Sequence, residues 1–420
     1  MSAELPARPG ESLFIVGAGI IGVASALTFA RQGFRVTVID PNEPGSGASH
    51  GNAGGIAPIV APLSQPDVPF KVPGMLFDPD GPFSIRPGQF LKAMPWFLRF
   101  LAECGPGRTE ANSIALYELT RHAPTAWREF ARGTAAQDLL RETGWLKIYS
   151  TKKSFDHSAF DRELLDRRGA AYEVLSPDEL RQLEPNLAPN FHAGMLYTDG
   201  MSVPNPRRMV ETLAQEAQSL GTVFLREAVN DLSVGEDGYV ALETSAAIHK
   251  PDCVMICAGA YSGPLATKLG AGVMLEAERG YHAMFETPEK VITRPIMWVD
   301  QSMVLAPMET GVRLSTQSEF GGLDGEPRYD RLERLSRNAL EMLPNLVPEA
   351  KEQWMGRRPA TPDSLPYLGV APATPRAYLN FGHNHLGLTL SAISARVALE
   401  DWTRSATSVA ADMVPYRATR

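Results

Sequence analysis

The sequence predicts an α/β chain carrying an α+β insert: one region wound around a parallel β–α–β unit, and a second built on a mostly antiparallel sheet. Three observations lead there. A strand–turn–helix–strand unit fills residues 13–40, alternating strands cluster between residues 281 and 315, and turn residues are abundant, with 36 glycines and 34 prolines in 420 residues. At about 100–200 residues per domain, that length allows two or three domains. Hydrophobic residues make up 44% against 21% charged, which excludes a disordered chain. The 40 Lys+Arg against 48 Asp+Glu leave a net charge of −8, which argues against a nucleic-acid partner. Glycine and proline follow no period, so the chain is neither collagen-like nor of low complexity.

Residues 13–16 form a short apolar run that ends in Gly17-Ala-Gly-Ile-Ile-Gly22. A helical segment over 23–31 follows, closed by Gly33 in the C′ position. Residues 34–39 alternate and are β-branched, a strand by the period-two test, and Asp40 ends it. A lone G-x-G-x-x-G is weak evidence, but here the strand, helix and second strand that give it meaning are all present. The first two glycines let the backbone turn and approach a pyrophosphate at the helix N-terminus, and the third lets helix and strand pack closely. Asp40, 18 residues after Gly22, stands where an acid accepts hydrogen bonds from a ribose. Residues 13–30 carry no charge and reach the length of a membrane span. Gly17, Gly19 and Gly22 interrupt them, and the first twelve residues lack the basic start of a secretory signal, so a soluble N-terminus is expected.

A second glycine-rich stretch, residues 45–55, holds five glycines in eleven positions, with His50 its only large side chain. A large flat cofactor lying across the backbone would need it. Residues 57–83 are Pro-rich and read as irregular: a lid, a path for a partner, or a solvated excursion. Residues 90–102 are aromatic-rich. Core packing is the expectation, because only Lys92 and Arg99 are charged and Pro95 interrupts; a membrane surface is the alternative. Helices are expected over 113–132, 161–168, 207–220 and 329–342, and Ser176-Pro-Asp-Glu179 has a capping-box pattern. Strands are expected over 222–225, 239–244, 253–256, 281–286, 303–308 and 311–315. Cys253 and Cys257, two of three cysteines, lie four apart in an apolar run, which suits buried packing better than a metal or redox pair.

Two stretches near the C-terminus carry candidate chemistry. In Trp354-Met-Gly-Arg-Arg-Pro359, two arginines before a proline, in a strand-poor turn, suit a guanidinium that forks onto a carboxylate. A surface pair bound to Asp363 or Glu352 is the plain alternative. In Tyr378-Leu-Asn-Phe-Gly-His-Asn-His-Leu-Gly-Leu-Thr389 a strand breaks at Gly382 and re-enters a helix after Gly387. A metal at His383 and His385 is disfavoured by their spacing and by the lack of a nearby carboxylate or thiol ligand in sequence. No second G-x-G-x-x-G occurs, whereas flavoproteins reduced by NAD(P)H commonly carry two dinucleotide folds.

Taken in order, the 13–40 unit, residues 46–55, Ala258-Gly-Ala-Tyr-Ser262, Gly356-Arg-Arg-Pro359 with Thr361-Pro-Asp363, and residues 382–389 resemble the D-amino acid oxidase/dehydrogenase superfamily of FAD enzymes over nearly the whole chain. Within it the sequence is most similar to the bacterial D-amino acid dehydrogenase small-subunit group and leans toward D-hydroxyproline dehydrogenase. The resemblance implies a Rossmann-like FAD-binding domain from residues 11–60, 192–262 and 352–410, and a substrate-binding domain from 61–191 and 263–351. It places Gly17, Gly19, Ile20, Ile21 and Gly22 at the pyrophosphate turn and Asp40 with Pro41 at the ribose. Ser49, His50, Asn52, Ala53 and Gly54 fall in a second flavin loop, where relatives often have a small residue in place of His50. Val229 is placed at adenine, Ala258 and Gly259 at a second backbone approach, and Gly382, Gly387, Leu388 and Thr389 at the flavin edge. Arg358 is implied as the substrate-carboxylate anchor, with Tyr281 near the substrate and His383 at the flavin-edge turn. No metal is expected.

The implied activity is hydride transfer from the α-carbon of a D-amino or cyclic D-imino acid to flavin N5, with FAD held non-covalently. Electrons would pass to a quinone or a partner subunit. An O₂-using oxidase of the glycine or sarcosine type is the nearest rival, and a non-catalytic FAD-bearing subunit the rival from another class. A cytoplasmic location is expected, with peripheral contact to the inner membrane as its variant.

Overall fold

The computed structural model describes residues 7–77, 83–287, 290–347, 349–404 and 412–420. The first strand, Ser12–Val16, is central to a six-stranded sheet, pairing in parallel with Arg35–Ile39 on one side and Cys253–Ile256 on the other. Val223–Leu225 adds beyond Arg35–Ile39, and Ala377–Phe381 and the antiparallel Tyr367–Val370 add beyond Cys253–Ile256. Both faces are covered, as buried parallel strands require. Leu13, Ile15, Cys253 and Met255 face the helices Ile20–Arg31, Pro206–Ser219 and Gly387–Thr403. Val16, Val254 and Ile256 pack instead against a three-stranded sheet made by Val229–Val234, Val240–Thr244 and Ile248–His249. None of the three buried cysteines is in a disulfide, and burial pushes the Cys253 thiol up to about 12, so they serve as core residues.

The second layer is a nine-stranded, mostly antiparallel sheet. Its order runs Ala350–Ala360, Glu276–Glu286, Gly311–Phe320, Met303–Met308, Ile296–Trp298, Trp145–Tyr149, Ala193–Tyr197 and Glu173–Leu175, and Phe83–Ile85 pairs with Gly311–Phe320. Ala193–Tyr197 and Ala350–Ala360 therefore pair within this sheet, although the division expected at 192 and 352 gave them to the other domain.

Several local expectations need correcting. The arginines expected in a strand-poor turn lie within an 11-residue strand, Ala350–Ala360. It is the edge strand of its sheet, and an edge tolerates Pro359, which donates no hydrogen bond. Residues 57–83 are not wholly irregular: Val68–Phe77 is helical, with Pro69 in the first turn, where no intrahelical donor is lost, and residues 78–82 lie outside the described set. The helix expected over 113–132 is two helices, Pro106–Thr120 and Ala123–Ala131, because Pro124 starts the second. Residues 90–102 are helical within Pro87–Glu103, but only Ala93, Trp96 and Glu103 are buried, and Leu91 and Leu98 are 79% and 61% exposed. Pro95 did not end that helix. Ser176 and Glu179 form the expected capping box.

Trp402, wholly buried, ties the last helix to the parallel sheet. Its indole N–H donates to the Pro375 carbonyl at 2.9 Å, and its ring packs on Phe29 and Tyr378. Trp402→Ala is expected to lower unfolding free energy by about 3–5 kcal/mol, read as a fall in the denaturation midpoint. A change under about 1 kcal/mol would show that this end of the helix contributes little.

Candidate active site

The Gly17–Gly22 turn is as tight as its sequence suggests. Gly17 has φ +108°, and a Cβ there would sit 2.5 Å from the Cys257 carbonyl oxygen; at Gly22 it would sit 1.9 Å from the Gly17 oxygen. The turn opens the Ile20–Arg31 helix, and the Ile20 N–H donates to Ser49 Oγ at 3.0 Å, so the second glycine loop caps the first. Asp40 is fixed at the same edge, accepting from the Ala18 N–H at 2.9 Å and the Asn42 N–H at 2.8 Å.

Between the carboxyl ends of the parallel strands and one face of the large sheet lies a cavity of about 1440 Å³. That exceeds the roughly 300–1,000 Å³ of ordinary small-molecule sites and leaves room for a dinucleotide and a substrate together. Gly17, Gly19, Ile20, Ile21, Asp40 and Pro41 line one end, with Ser49, Asn52, Ala53, Val229, Ala258 and Gly259. Gly382, His383, Gly387, Leu388 and Thr389 line it near Arg358 and Tyr281. Gly22, His50 and Gly54 do not line it. Gly22 packs under the turn, and Gly54 faces Val203, whose carbonyl oxygen lies 2.3 Å from where a Cβ would be.

His50, which the resemblance placed among the flavin-loop residues, instead bridges to the large antiparallel sheet. Its Nε2 lies 3.0 Å from Glu352 Oε1, and its ring packs on Trp354 and His282. The loop glycines answer to this contact as well as to the cavity: a Cβ at Gly51 would strike the Trp354 ring at 2.0 Å, and one at Gly55 the Trp145 ring at 2.1 Å.

One wall of the cavity is a two-strand ladder. Glu278 pairs with Arg358, Gly280 with Gly356 and His282 with Trp354, so these six share one face. Arg358 Nη1 donates to Glu278 Oε1 and to the Gln317 carbonyl, both at 2.9 Å. The guanidinium lies flat on Gly280, where a Cβ would meet Nη2 at 2.0 Å. Arg358 is thus bonded to neither Asp363 nor Glu352. Gln317 stands in left-handed backbone at φ +68°, where the register of its strand shifts, and its buried amide nitrogen has no partner among the described residues.

Tyr281 borders the cavity, but its side chain lies on the opposite face of the ladder. Its hydroxyl donates to Glu319 Oε2 and accepts from the Arg328 N–H, both at 3.2 Å, which ties it to the core. His383 is buried with Nε2 2.9 Å from Ser394 Oγ, and burial pushes its pKa down to about 3, so the ring is neutral. The neighbouring His385 instead reaches Glu278 Oε1, at 2.8 Å. This nearby carboxylate, remote in sequence, was not anticipated. Glu278 also accepts from Ser318 Oγ at 2.6 Å. Burial works against its ionisation, but His385, Arg358 and Ser318 outweigh it and hold the carboxyl down at about 2.

The sequence reading missed Glu278, Gly280, Gln317 and His385. A partial signal for the first two was present: an acid and a glycine alternate on one face of a strand whose next five residues are apolar or aromatic.

The model of the family described as DAO, FAD dependent oxidoreductase, matches residues 12–400. The chain belongs to that family. It is an FAD-dependent oxidoreductase, and the cradle fits the cofactor: glycines without room for a Cβ at a helix N-terminus, a fixed Asp40, and a second helix, Gly387–Thr403, whose first turn lines the cavity. The sequence is 35% identical over 399 residues to a D-amino-acid oxidase of Bradyrhizobium diazoefficiens, covering 93% of this chain and 94% of that one. The fold is similar to glycine oxidase from Geobacillus kaustophilus, with TM-score 0.73 and 22% identity over 98% of this chain and 99% of the other. It is also similar to L-proline dehydrogenase from P. horikoshii, with TM-score 0.75 and 16% identity over 99% and 98%.

Gly280→Ala is expected to keep fold and FAD, read by circular dichroism and flavin absorbance, while displacing the Arg358 guanidinium and weakening carboxylate ligands at least about tenfold. Unchanged affinity would mean that the guanidinium does not need that floor. His282 is likewise pushed down to about 3, by burial and then by Arg313. Both histidines stay neutral when folded, whereas an unfolded histidine takes up a proton below about 6.5, so stability falls as pH falls from there toward 3. His383→Gln should reduce the slope between about pH 6.5 and 4.5 by nearly one proton; an unchanged slope would contradict the burial argument.

Proposed function

We propose that this chain oxidises the Cα–N bond of a D-amino acid or a cyclic D-imino acid, of which D-hydroxyproline is one, and passes the electrons to a quinone or a partner subunit. The observation that carries the first part is Arg358. Its guanidinium is fixed by two hydrogen bonds through Nη1, while Nη2 carries none among the described residues and the side chain lines the cavity. A fixed guanidinium with an open edge suits a substrate carboxylate. The 35% identity to a protein named D-amino-acid oxidase supports the D-amino-acid reading. Phe83, Trp96, Phe97, Phe100 and Phe320 form an aromatic wall, and the Trp96 indole donates to the Ala360 carbonyl two residues from Arg358. Such a wall suits an apolar or ring-shaped substrate.

FAD, when bound, supplies the two-electron acceptor for the α-carbon. The chain's own residues bind and orient. Arg358 fixes the carboxylate and so limits the poses of the α-carbon, and orientation of this kind accounts for much of the rate. The first turn of the Gly387–Thr403 helix favours negative charge in the cavity beside it. The aromatic wall keeps the surface beside Arg358 apolar.

The helix Pro87–Glu103 supports the acceptor reading. Phe90 and Leu101 both line the cavity and are 42% exposed, so they sit at its rim, and Leu91 and Leu98 extend the apolar surface outward. An apolar rim suits a lipid-soluble quinone or the apolar face of a partner, met by a cytoplasmic protein in peripheral contact with the inner membrane. Among the described residues no helix is long and apolar enough to cross a membrane. The name of the Bradyrhizobium relative favours O₂ as a second reading. Peroxide formed in step with turnover would select that reading, and turnover of the isolated chain with an artificial acceptor would exclude a non-catalytic subunit.

The purified, yellow protein is expected to bleach anaerobically with D-proline, D-hydroxyproline or D-alanine and to remain oxidised with NADH. Arg358→Met should keep the flavin colour and raise the half-saturating substrate concentration by at least about 100-fold. Bleaching by NADH alone, or normal turnover by the variant, would overturn the proposal.

A further inference from the structure

We propose that Glu278 is the seat of the substrate's ammonium group, so that Glu278 and Arg358 together read a zwitterion and discriminate amino and imino acids from carboxylates that lack nitrogen. The inference rests on the reading of Arg358 as carboxylate anchor and adds the residue that sets selectivity beside it.

Geometry carries it. Glu278 and Arg358 are direct cross-strand partners and both line the cavity. Three donors converge on one carboxylate oxygen: Ser318 Oγ at 2.6 Å, His385 Nε2 at 2.8 Å and Arg358 Nη1 at 2.9 Å all reach Oε1. Oε2 accepts none among the described residues, although the side chain is only 4% exposed. The side chain that carries it lines the cavity. Arg358 shows the matching pattern, with Nη1 committed and Nη2 free. Each member of the pair is therefore held by one edge and offers the other to the same space.

The charges explain the selectivity. A lone arginine in a closed cavity would bind a 2-hydroxy acid, a 2-oxo acid or a plain carboxylate about as readily as an amino acid. With Glu278 alongside, an approaching anion meets both signs and gains little, whereas a zwitterion places each charge on its opposite. The repulsive element also speeds release of a 2-oxo acid product, which has lost the nitrogen. Glu278 remains ionised in all but strong acid, with His385 and Arg358 the charged or titratable groups that contact it, so it holds the ammonium without taking its proton. A carboxylate beside a bound ammonium raises that ammonium's pKa. The amine must shed this proton before the α-carbon can be oxidised, so Glu278 also sets where on the pH scale turnover begins.

The test compares two ring ligands that differ at one position, D-proline and cyclopentanecarboxylate, in the FAD-loaded wild type and in Glu278→Gln. The variant is expected to raise the half-saturating D-proline concentration by at least about 30-fold, while the inhibition constant of cyclopentanecarboxylate stays the same or falls. The rising limb of its kcat–pH profile is expected to move to lower pH, a change that a merely structural prop for Arg358 would not produce. Equal weakening of both ligands with an unmoved pH profile would overturn the proposal, as would no change in D-proline. Arg358→Met separates the underlying reading: if it leaves cyclopentanecarboxylate inhibition intact, the anchor assignment fails and the zwitterion pair fails with it.

Discussion

A carboxylate and a guanidinium face each other across two strands, Glu278 and Arg358, in the wall of a largely apolar cavity. Neither is stable there alone: removing one partner of a buried pair leaves an uncompensated charge, at a cost of about 3–5 kcal/mol. Much of the surrounding structure serves to meet that constraint. Ser318 and His385 arrive from a neighbouring strand and from the turn before the last helix to complete the hydrogen bonding of Glu278. The shifted register at Gln317 turns a backbone carbonyl toward Arg358. Gly280 leaves a flat floor on which the guanidinium lies.

The cofactor loop and the substrate floor are built as one piece. Trp354 stacks on His282, its ladder partner, and covers both Gly356 and Gly51, so one indole touches the substrate sheet and the glycine loop. Arg313 adds a second tie, donating from Nη1 to the carbonyls of His50 and Asn52, both at 2.9 Å. The glycine loop over 45–55 is thus positioned by side chains of the large antiparallel sheet.

The parallel half was legible in the sequence because its signals are local. Alternating or continuous apolar strands, a glycine turn and Asp40 all fall within about 30 residues, and the physics that shapes them acts at that range. The substrate half was legible only as a class. Pro359 and Gly356 look like breakers until the strand is known to lie at a sheet edge, which depends on pairing across about 80 residues. Arg358 stood out through its motif, but Glu278 did not, since its meaning comes from its cross-strand partner. Between His383 and His385 the sequence offered no basis for choice. The fold decides: one ring points into the last helix toward Ser394, and the other reaches Glu278. The exposed face of Pro87–Glu103 was misread for a related reason, because an apolar helix looks the same in sequence whether a core or another partner covers it.

The Glu278–Arg358 pair is proposed to receive the substrate, one charge on each residue. A crystal structure of the FAD-loaded protein with pyrrole-2-carboxylate, whose ring nitrogen also bears a hydrogen, tests it most directly. The ligand carboxylate is expected within hydrogen-bond distance of Arg358 Nη2, with the ring N–H directed at Glu278 Oε2. A ligand bound with its carboxylate away from Arg358, or with its nitrogen turned from Glu278, would contradict it.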